Sequence, residues 1–251
     1  MNKKKRSIKK NEFFGINKLP NGQGITVVGI SMPLIGNRQS PKECIKSTNH
    51  IIPKIKESGV GAVILYTDSL YLNSNEKASI LKTKFQKVIE DHKRGYLKLI
   101  KRNVNIIPKA FSFTTWGQIL LDCPDFTDYF KELKKIYSKD KIFQKYVKED
   151  IIITGRRVND NHVNYILEEV LLDYLMTKGK VRLQNDFVGD RQGWILNSYH
   201  GKPHKSHAYL YQKNFFKLKS NNQFENCWYD LNAKILYDFN NLDIDSFDFS
   251  K

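Results

Sequence analysis

Val27-Val28-Gly29-Ile30-Ser31-Met32-Pro33 is the stretch that decides the fold of this chain. Ile25, Val27, Val28 and Ile30 form the β-branched run expected of a strand covered on both faces. Pro33 has no amide hydrogen to give to a ladder, so the strand ends near Ser31 and delivers a serine into a turn. Asn21-Gly22-Gln23-Gly24 is the turn that leads in. Pro41 to Ser58 reads as a helix, with Pro41 in its first turn and Cys44, Ile45, Ile51, Ile52 and Ile55 on its apolar side. Pro53 implies a kink or a break there. Ala62-Val63-Ile64-Leu65-Tyr66 is a second buried strand. Two strands joined by a crossover of this length pair in parallel. The expected fold is therefore α/β: Rossmann-like, three-layer α/β/α, with a mostly parallel central sheet. Ligands collect at the carboxyl ends of such strands, which makes Ser31 a candidate reactive group. Gly-Ile-Ser alone is a weak signal, because most serines after strands simply cap the next helix.

The chain has 251 residues, 40% hydrophobic and 27% charged, an ordinary composition for a soluble globular protein. Its charge is not ordinary: 42 Lys+Arg stand against 26 Asp+Glu, a net +16. That excess predicts attraction to a polyanion, with nucleic acid first and an anionic membrane surface second. A generally lysine-rich proteome would produce the same sum, so the distribution of charge matters more than the total. Cys44, Cys123 and Cys227 are odd in number and widely spaced. They suit neither a disulfide scaffold nor a zinc site, and a reducing cytoplasm is expected, with no metal and no cofactor. No apolar run is long enough to span a bilayer, so no membrane partner is expected. The basic N-terminus lacks a following apolar segment and does not read as a signal peptide.

Residues 1–20 are expected to be a basic, disordered arm, residues 21–237 a single domain and residues 238–251 an acidic tail appended to the surface. Asn75 to Arg102 is strongly helical, with Leu81, Phe85, Val88, Ile89, Tyr96, Leu99 and Ile100 as its core-facing stripe. Gly95 is expected to mark a bend. Lys84, Lys87, Arg94, Lys98 and Lys101 recur on another face, joined by Lys82, Lys93 and Arg102. Like charges stacked along a helix repel, and an anionic ligand relieves that cost. This face is therefore a candidate nucleic-acid contact. Val104 to Pro108 is a candidate third strand, and Thr114 or Thr115 starts a helical segment. Further helices are expected over Asp125–Lys148 and Asn161–Leu175, and short strands over Val181–Phe187 and Gly193–Ser198.

Three places could carry chemistry. Ser31 is a possible nucleophile. Tyr165 and Glu169 lie four apart on one helix face, with Leu172 on the same face. A glutamate on an otherwise apolar inner face needs a cation to meet it, and an ammonium group would serve. Tyr199-His200 closes a late strand. Each has a plain structural alternative: a helix cap, a solvated carboxylate, and a packed tyrosine beside a surface histidine. Their order is more informative than any one of them. Gly29-Ile30-Ser31, the basic helix over 82–102, Tyr165-Ile166-Leu167-Glu168-Glu169 and Tyr199-His200 together resemble the tRNA-dependent cyclodipeptide synthases, over roughly residues 25–205.

The resemblance implies a catalytic domain like that of the tyrosyl and tryptophanyl class of tRNA synthetases, without ATP. No HIGH-like, KMSKS-like or Walker motif is present. It also implies two aminoacyl-tRNAs as substrates; a monomer is expected. Ser31 would take the first aminoacyl group, and the second aminoacyl-tRNA would supply the amine for the peptide bond, giving a dipeptidyl-enzyme that closes to a diketopiperazine. Tyr165 and Glu169 match residues that hold the substrate ammonium, Glu169 also moving protons, and Tyr199 matches a tyrosine beside the nucleophile. Val27, Gly29 and Leu172 would line the first aminoacyl pocket, with His200 among the substrate-binding residues. Lys84, Lys87, Lys93, Arg94, Lys98, Lys101 and Arg102 would meet the tRNA acceptor arm. One branch of the family has Asn three residues after the serine. Leu34 stands at that place here, and Asn37 is the substitute if the turn carries a three-residue insertion. Both alignments stand at the level of sequence. The competing functional readings are a non-enzymatic tRNA- or RNA-binding module and a serine esterase, the latter lacking its Gly-x-Ser-x-Gly elbow.

Overall fold

The computed structural model describes residues 24–48, 60–68, 78–103, 111–181, 183, 194–220, 222 and 224–249. In chain order the elements are β1 (Gly24–Ile30), α1 (Pro41–Thr48), β2 (Val60–Tyr66), α2 (Ala78–Asn103), β3 (Phe111–Thr115), α3 (Trp116–Leu121) and α4 (Phe126–Lys139). They continue with α5 (Lys141–Ile153), α6 (Asp160–Thr177), β4 (Trp194–Tyr199), α7 (Lys205–Lys213), β5 (Cys227–Asp230) and β6 (Ile235–Asp238). The strands form one sheet in the order β3-β2-β1-β4-β5-β6. Pairing is parallel from β3 through β5, and β6 closes the sheet antiparallel to β5. The fold is the expected Rossmann-like α/β arrangement.

The period of two along the strands divides the interior. Ile25 and Val27 of β1 and Val63 and Leu65 of β2 face a core shared with α3–α7. Val28 and Ile30 of β1 and Ala62, Ile64 and Tyr66 of β2 face the core under α1 and α2. Both faces of the central strands are thus covered, which is why they read as continuous apolar runs rather than alternating ones. Helix α6 is buried over most of its circumference, with Ile166, Leu167 and the run from Val170 to Thr177 inaccessible. It is the central helix of the larger layer.

Several expectations need correction. The third strand is Phe111–Thr115, later than expected, and residues 104–110 lie outside the described residues. So do 49–59, with the second half of the helix expected from Pro41, the arm over 1–20, and most of 181–187. The single helix expected over 125–148 is two, broken at Asp140, whose Oδ1 accepts from the amides of Ile142 (3.0 Å) and Phe143 (2.9 Å) as the cap of α5. Helix α2 runs unbroken through Gly95, where a Cβ would come within 3.0 Å of Pro41 Cγ. Gly95 is there to let α1 approach.

The segment after Tyr237 is not a surface appendage. Phe239, Leu242, Ile244 and Phe249 are buried in the larger core. Gln212 Nε2 donates to the carbonyls of Phe239 (2.6 Å) and Leu242 (2.7 Å), and Tyr146 donates to Asp245 Oδ1 at 2.8 Å.

Candidate active site

The strand order changes direction between β1 and β4: the chain builds outward from β1 to β3, then returns to the other side of β1. A crevice opens at the carboxyl ends of strands at such a switch. Here it is a cleft of about 470 Å³, lined from β1 by Ser31, from α6 by Tyr165 and Glu169, and from β4 by Tyr199 and His200. Residues far apart in sequence are brought together on the face of the sheet that α6 covers.

Ser31 follows the last residue of β1, whose carbonyl accepts from Thr67 through both its amide (3.0 Å) and its hydroxyl (3.2 Å). Ser31 opens a single 3-10 turn, Met32–Leu34, and its side chain makes no cap hydrogen bond to it. Tyr199 stands one strand away, its ring 5.9 Å from that of Trp228. A Cβ on residue 29 would come within 3.0 Å of Tyr199 Cδ2, so the glycine is what admits this ring. Gly29 acts on the site by clearance. Val27 and Leu172 are wholly buried in the core beneath and are not among the described residues lining the cleft.

On α6, Tyr165 and Glu169 are half-buried, one turn apart and both in the cleft. The Arg156 guanidinium lies over the Tyr165 ring at 4.4 Å, a cation–π contact inside the same cleft. Glu168 points elsewhere: Trp116 Nε1 donates to its Oε1 at 3.1 Å. Burial pushes the Glu168 carboxyl up to about 7, with the neighbouring Glu169 adding to the rise against the Trp116 bond.

The cleft contains residues that sequence reasoning did not single out: Arg38, Thr154, Arg156, Lys202, His204, Trp228 and Asp230. His204 is set by Asp150, a fully buried carboxylate 3.7 Å from its Nδ1. The same carboxylate accepts from the amides of Lys205 (2.9 Å) and Ser206 (2.8 Å) at the start of α7. Burial alone would raise it; His204 and Ser206 outweigh that and hold it below the usual carboxylate range.

The structure places both candidates from the turn after Ser31. Leu34 lines the cleft, whereas Asn37 is exposed and lies outside its lining. Gln39, behind the lining and fully buried, bonds to two residues of the site. Its Oε1 accepts from the Ser31 amide at 2.6 Å, and its Nε2 lies 3.1 Å from His200 Nδ1. Burial lowers the His200 imidazole to about 4, so this ring is neutral near pH 7.

Outside the cleft, Lys84, Lys87, Arg94, Lys98 and Lys101 are exposed along α2. Arg94 lies 3.8 Å from Asp91, and Lys93 is half-buried over the Phe113 ring at 5.7 Å. The side chain of Arg102 lies outside the described residues. Among the described residues no cluster could hold a metal ion, and no helix is long and apolar enough to cross a membrane.

No family model matches the sequence, and no curated protein does. Solved structures do match the fold. The cyclodipeptide synthase (CDPS) from Candidatus Glomeribacter gigasporarum, solved bound to Phe-tRNAPhe, superposes with a TM-score of 0.52 at 16% identity, over 84% of this chain and 90% of that one. A CDPS from Fluoribacter dumoffii gives 0.51 at 17% identity, over 78% and 86%. A CDPS from Staphylococcus haemolyticus gives 0.50 at 17%, over 79% and 87%. With its cleft at the carboxyl ends of β1 and β4, this chain carries the fold of the solved cyclodipeptide synthases.

Proposed function

We propose that this chain is a cyclodipeptide synthase, an ATP-independent aminoacyltransferase that joins the aminoacyl groups of two aminoacyl-tRNAs into a diketopiperazine. The observation that carries the reading is the meeting of Ser31, Tyr165, Glu169 and Tyr199 in one cleft at the switch point of the sheet. A structural relative was solved with Phe-tRNAPhe, which supports aminoacyl-tRNA as the substrate class.

An aminoacyl ester is already activated, so a serine can accept the acyl group without a nucleotide cofactor. Ser31 Oγ bonds to the ester carbonyl carbon, and the tRNA leaves with its ribose hydroxyl reprotonated. Atom balance reverses one part of the expectation from sequence. A dipeptide that stays on Ser31 requires the amine of the serine-bound residue to attack the second ester, releasing the second tRNA. The new terminal amine then attacks the seryl ester, closing the ring and returning the proton to Ser31 Oγ. The Glu169 carboxylate and the Tyr165 hydroxyl hold the substrate ammonium, and Glu169 takes its proton when the amine must attack. Tyr199 positions the acyl group beside Ser31. Arg38, Arg156 and Lys202 meet phosphates at the cleft, and the exposed cations of α2 meet the acceptor arm.

Ser31→Ala is expected to abolish diketopiperazine in the medium of expressing cells while leaving the melting temperature and tRNA affinity close to wild type. Mass spectrometry of purified protein mixed with aminoacyl-tRNAs is expected to find the acyl group on Ser31. A wild-type protein that yields neither product nor acyl-Ser31 would overturn the reading in favour of a non-catalytic RNA-binding module.

A further inference from the structure

A glutamine in the turn Gly36-Asn37-Arg38-Gln39-Ser40 is ordinarily solvated, yet Gln39 is completely buried and every polar group of its side chain is used. The chemistry of its partners fixes the orientation of the amide. The Ser31 backbone N–H can only donate, so the oxygen of the amide faces it. The amide nitrogen must then donate to His200 Nδ1, which makes that nitrogen the acceptor and places the ring proton on Nε2. Gln39 thereby sets two things at once: the position of the Ser31 backbone and the tautomer of His200, 161 residues away in the chain.

Gln39 is itself held from behind. Its carbonyl oxygen lies 2.9 Å from His92 Nε2, and a carbonyl only accepts, so His92 carries its proton on Nε2. His92 Nδ1 is then the acceptor for the Tyr66 hydroxyl at 2.9 Å. The Cys44 thiol also donates to the Gln39 carbonyl, at 3.4 Å. Tyr66, His92, Cys44 and Gln39 are all buried. The chain Tyr66–His92–Gln39 runs from the end of β2, through α2, to Ser31 and His200.

We infer that Gln39, fixed by His92, is the positioning residue of this cleft, holding the nucleophile's backbone and presenting His200 as a neutral hydrogen-bond donor rather than a base. The inference rests on the cyclodipeptide reading for its catalytic consequence only; the tautomer of His200 is a property of the protein by itself. It also assigns α2 two functions. Its outer lysines face solvent, while His92 on the inner side braces the turn that carries Ser31.

Two substitutions separate this role from a structural one. Gln39→Ala removes both contacts and is expected to slow single-turnover acylation of Ser31 on the order of 100-fold, with tRNA affinity changed less than about twofold. Gln39→Glu is nearly isosteric, keeps an acceptor for the Ser31 amide and loses the donor for His200. It is expected to restore most of the order at Ser31 while moving the His200 proton to Nδ1. Nitrogen-15 NMR of the ring reads that proton directly: Nε2–H in wild type, Nδ1–H in Gln39→Glu. A wild-type ring protonated on Nδ1, or an unchanged tautomer in Gln39→Glu, would overturn the inference, as would full acylation rates in a folded Gln39→Ala. If wild-type protein forms no acyl-Ser31, the enzyme reading fails, and the NMR comparison alone decides the role of Gln39.

Discussion

Glu168 and Glu169 are adjacent on α6 and belong to different environments. Glu169 opens on the cleft; Glu168 is half-buried against Trp116. Because burial raises the Glu168 carboxyl from its ordinary 4.5 to about 7, the folded state binds more protons than the unfolded chain between those values. Stability at this group therefore falls as pH rises through that window and stays low above it. Glu168→Gln keeps an acceptor for the indole and removes the charge. Urea unfolding is expected to show the variant more stable than wild type at pH 8, by about 3 kcal/mol at most, and nearly equal at pH 4. Equal stabilities at pH 8 would refute the account. At this scale the sequence was informative where it set a polar side chain at a strand end, as with Ser31 and Tyr199, or on an apolar helix face, as with Tyr165 and Glu169: all four line the same cleft. It was silent on Gln39, since a buried amide in a polar turn leaves no pattern, and it left Leu34 and Asn37 undecided. Val27 and Leu172 share a face with the site but lie in the layer below it.

Elements with a strong period were legible: β1, β2, α2, α6 and β4 fall close to their expected places. Those missed are short or have polar interiors. β5 and β6 are four residues each. In α7, Ser206 and His207 are wholly buried beside Ala208, Leu210 and Tyr211, with His207 Nε2 3.0 Å from Asp173 Oδ2, so polar residues interrupt its apolar side. The α4–α5 break escaped notice because the aromatic period continues across Asp140. Helix α2 offers the clearest test at this scale. Lys98→Glu combined with Lys101→Glu, both exposed, is expected to weaken aminoacyl-tRNA binding. The log–log salt dependence should also become shallower, by roughly 1.5 to 2. Filter binding over a salt series measures both, and an unchanged slope would remove α2 from the tRNA interface. Melting temperature should hardly move.

Across the whole molecule, the last segment closes the larger core. Phe239 is 1% exposed, with its ring 5.1 Å from Tyr211. Phe239→Ala is expected to cost about 3–5 kcal/mol in urea unfolding. A loss below about 1 kcal/mol would mean the segment is dispensable after all. An acidic composition suggested solvation for this stretch, because its aspartates outnumber the few aromatics that do the packing.

The place of β1 in the sheet has a consequence for how the protein is made. Its neighbour on one side is β2, next in the chain, but on the other side it is β4, which ends at Tyr199. On the ribosome, where synthesis proceeds at about 5–20 residues per second, β1 emerges ahead of that partner and waits while the residues between them are made. Throughout the wait one edge of an apolar strand stays open, and the long loop must close before its pairing returns any stability. Ser31 thus leaves the ribosome well before Tyr199, and the cleft they share closes around it only when β4 has paired.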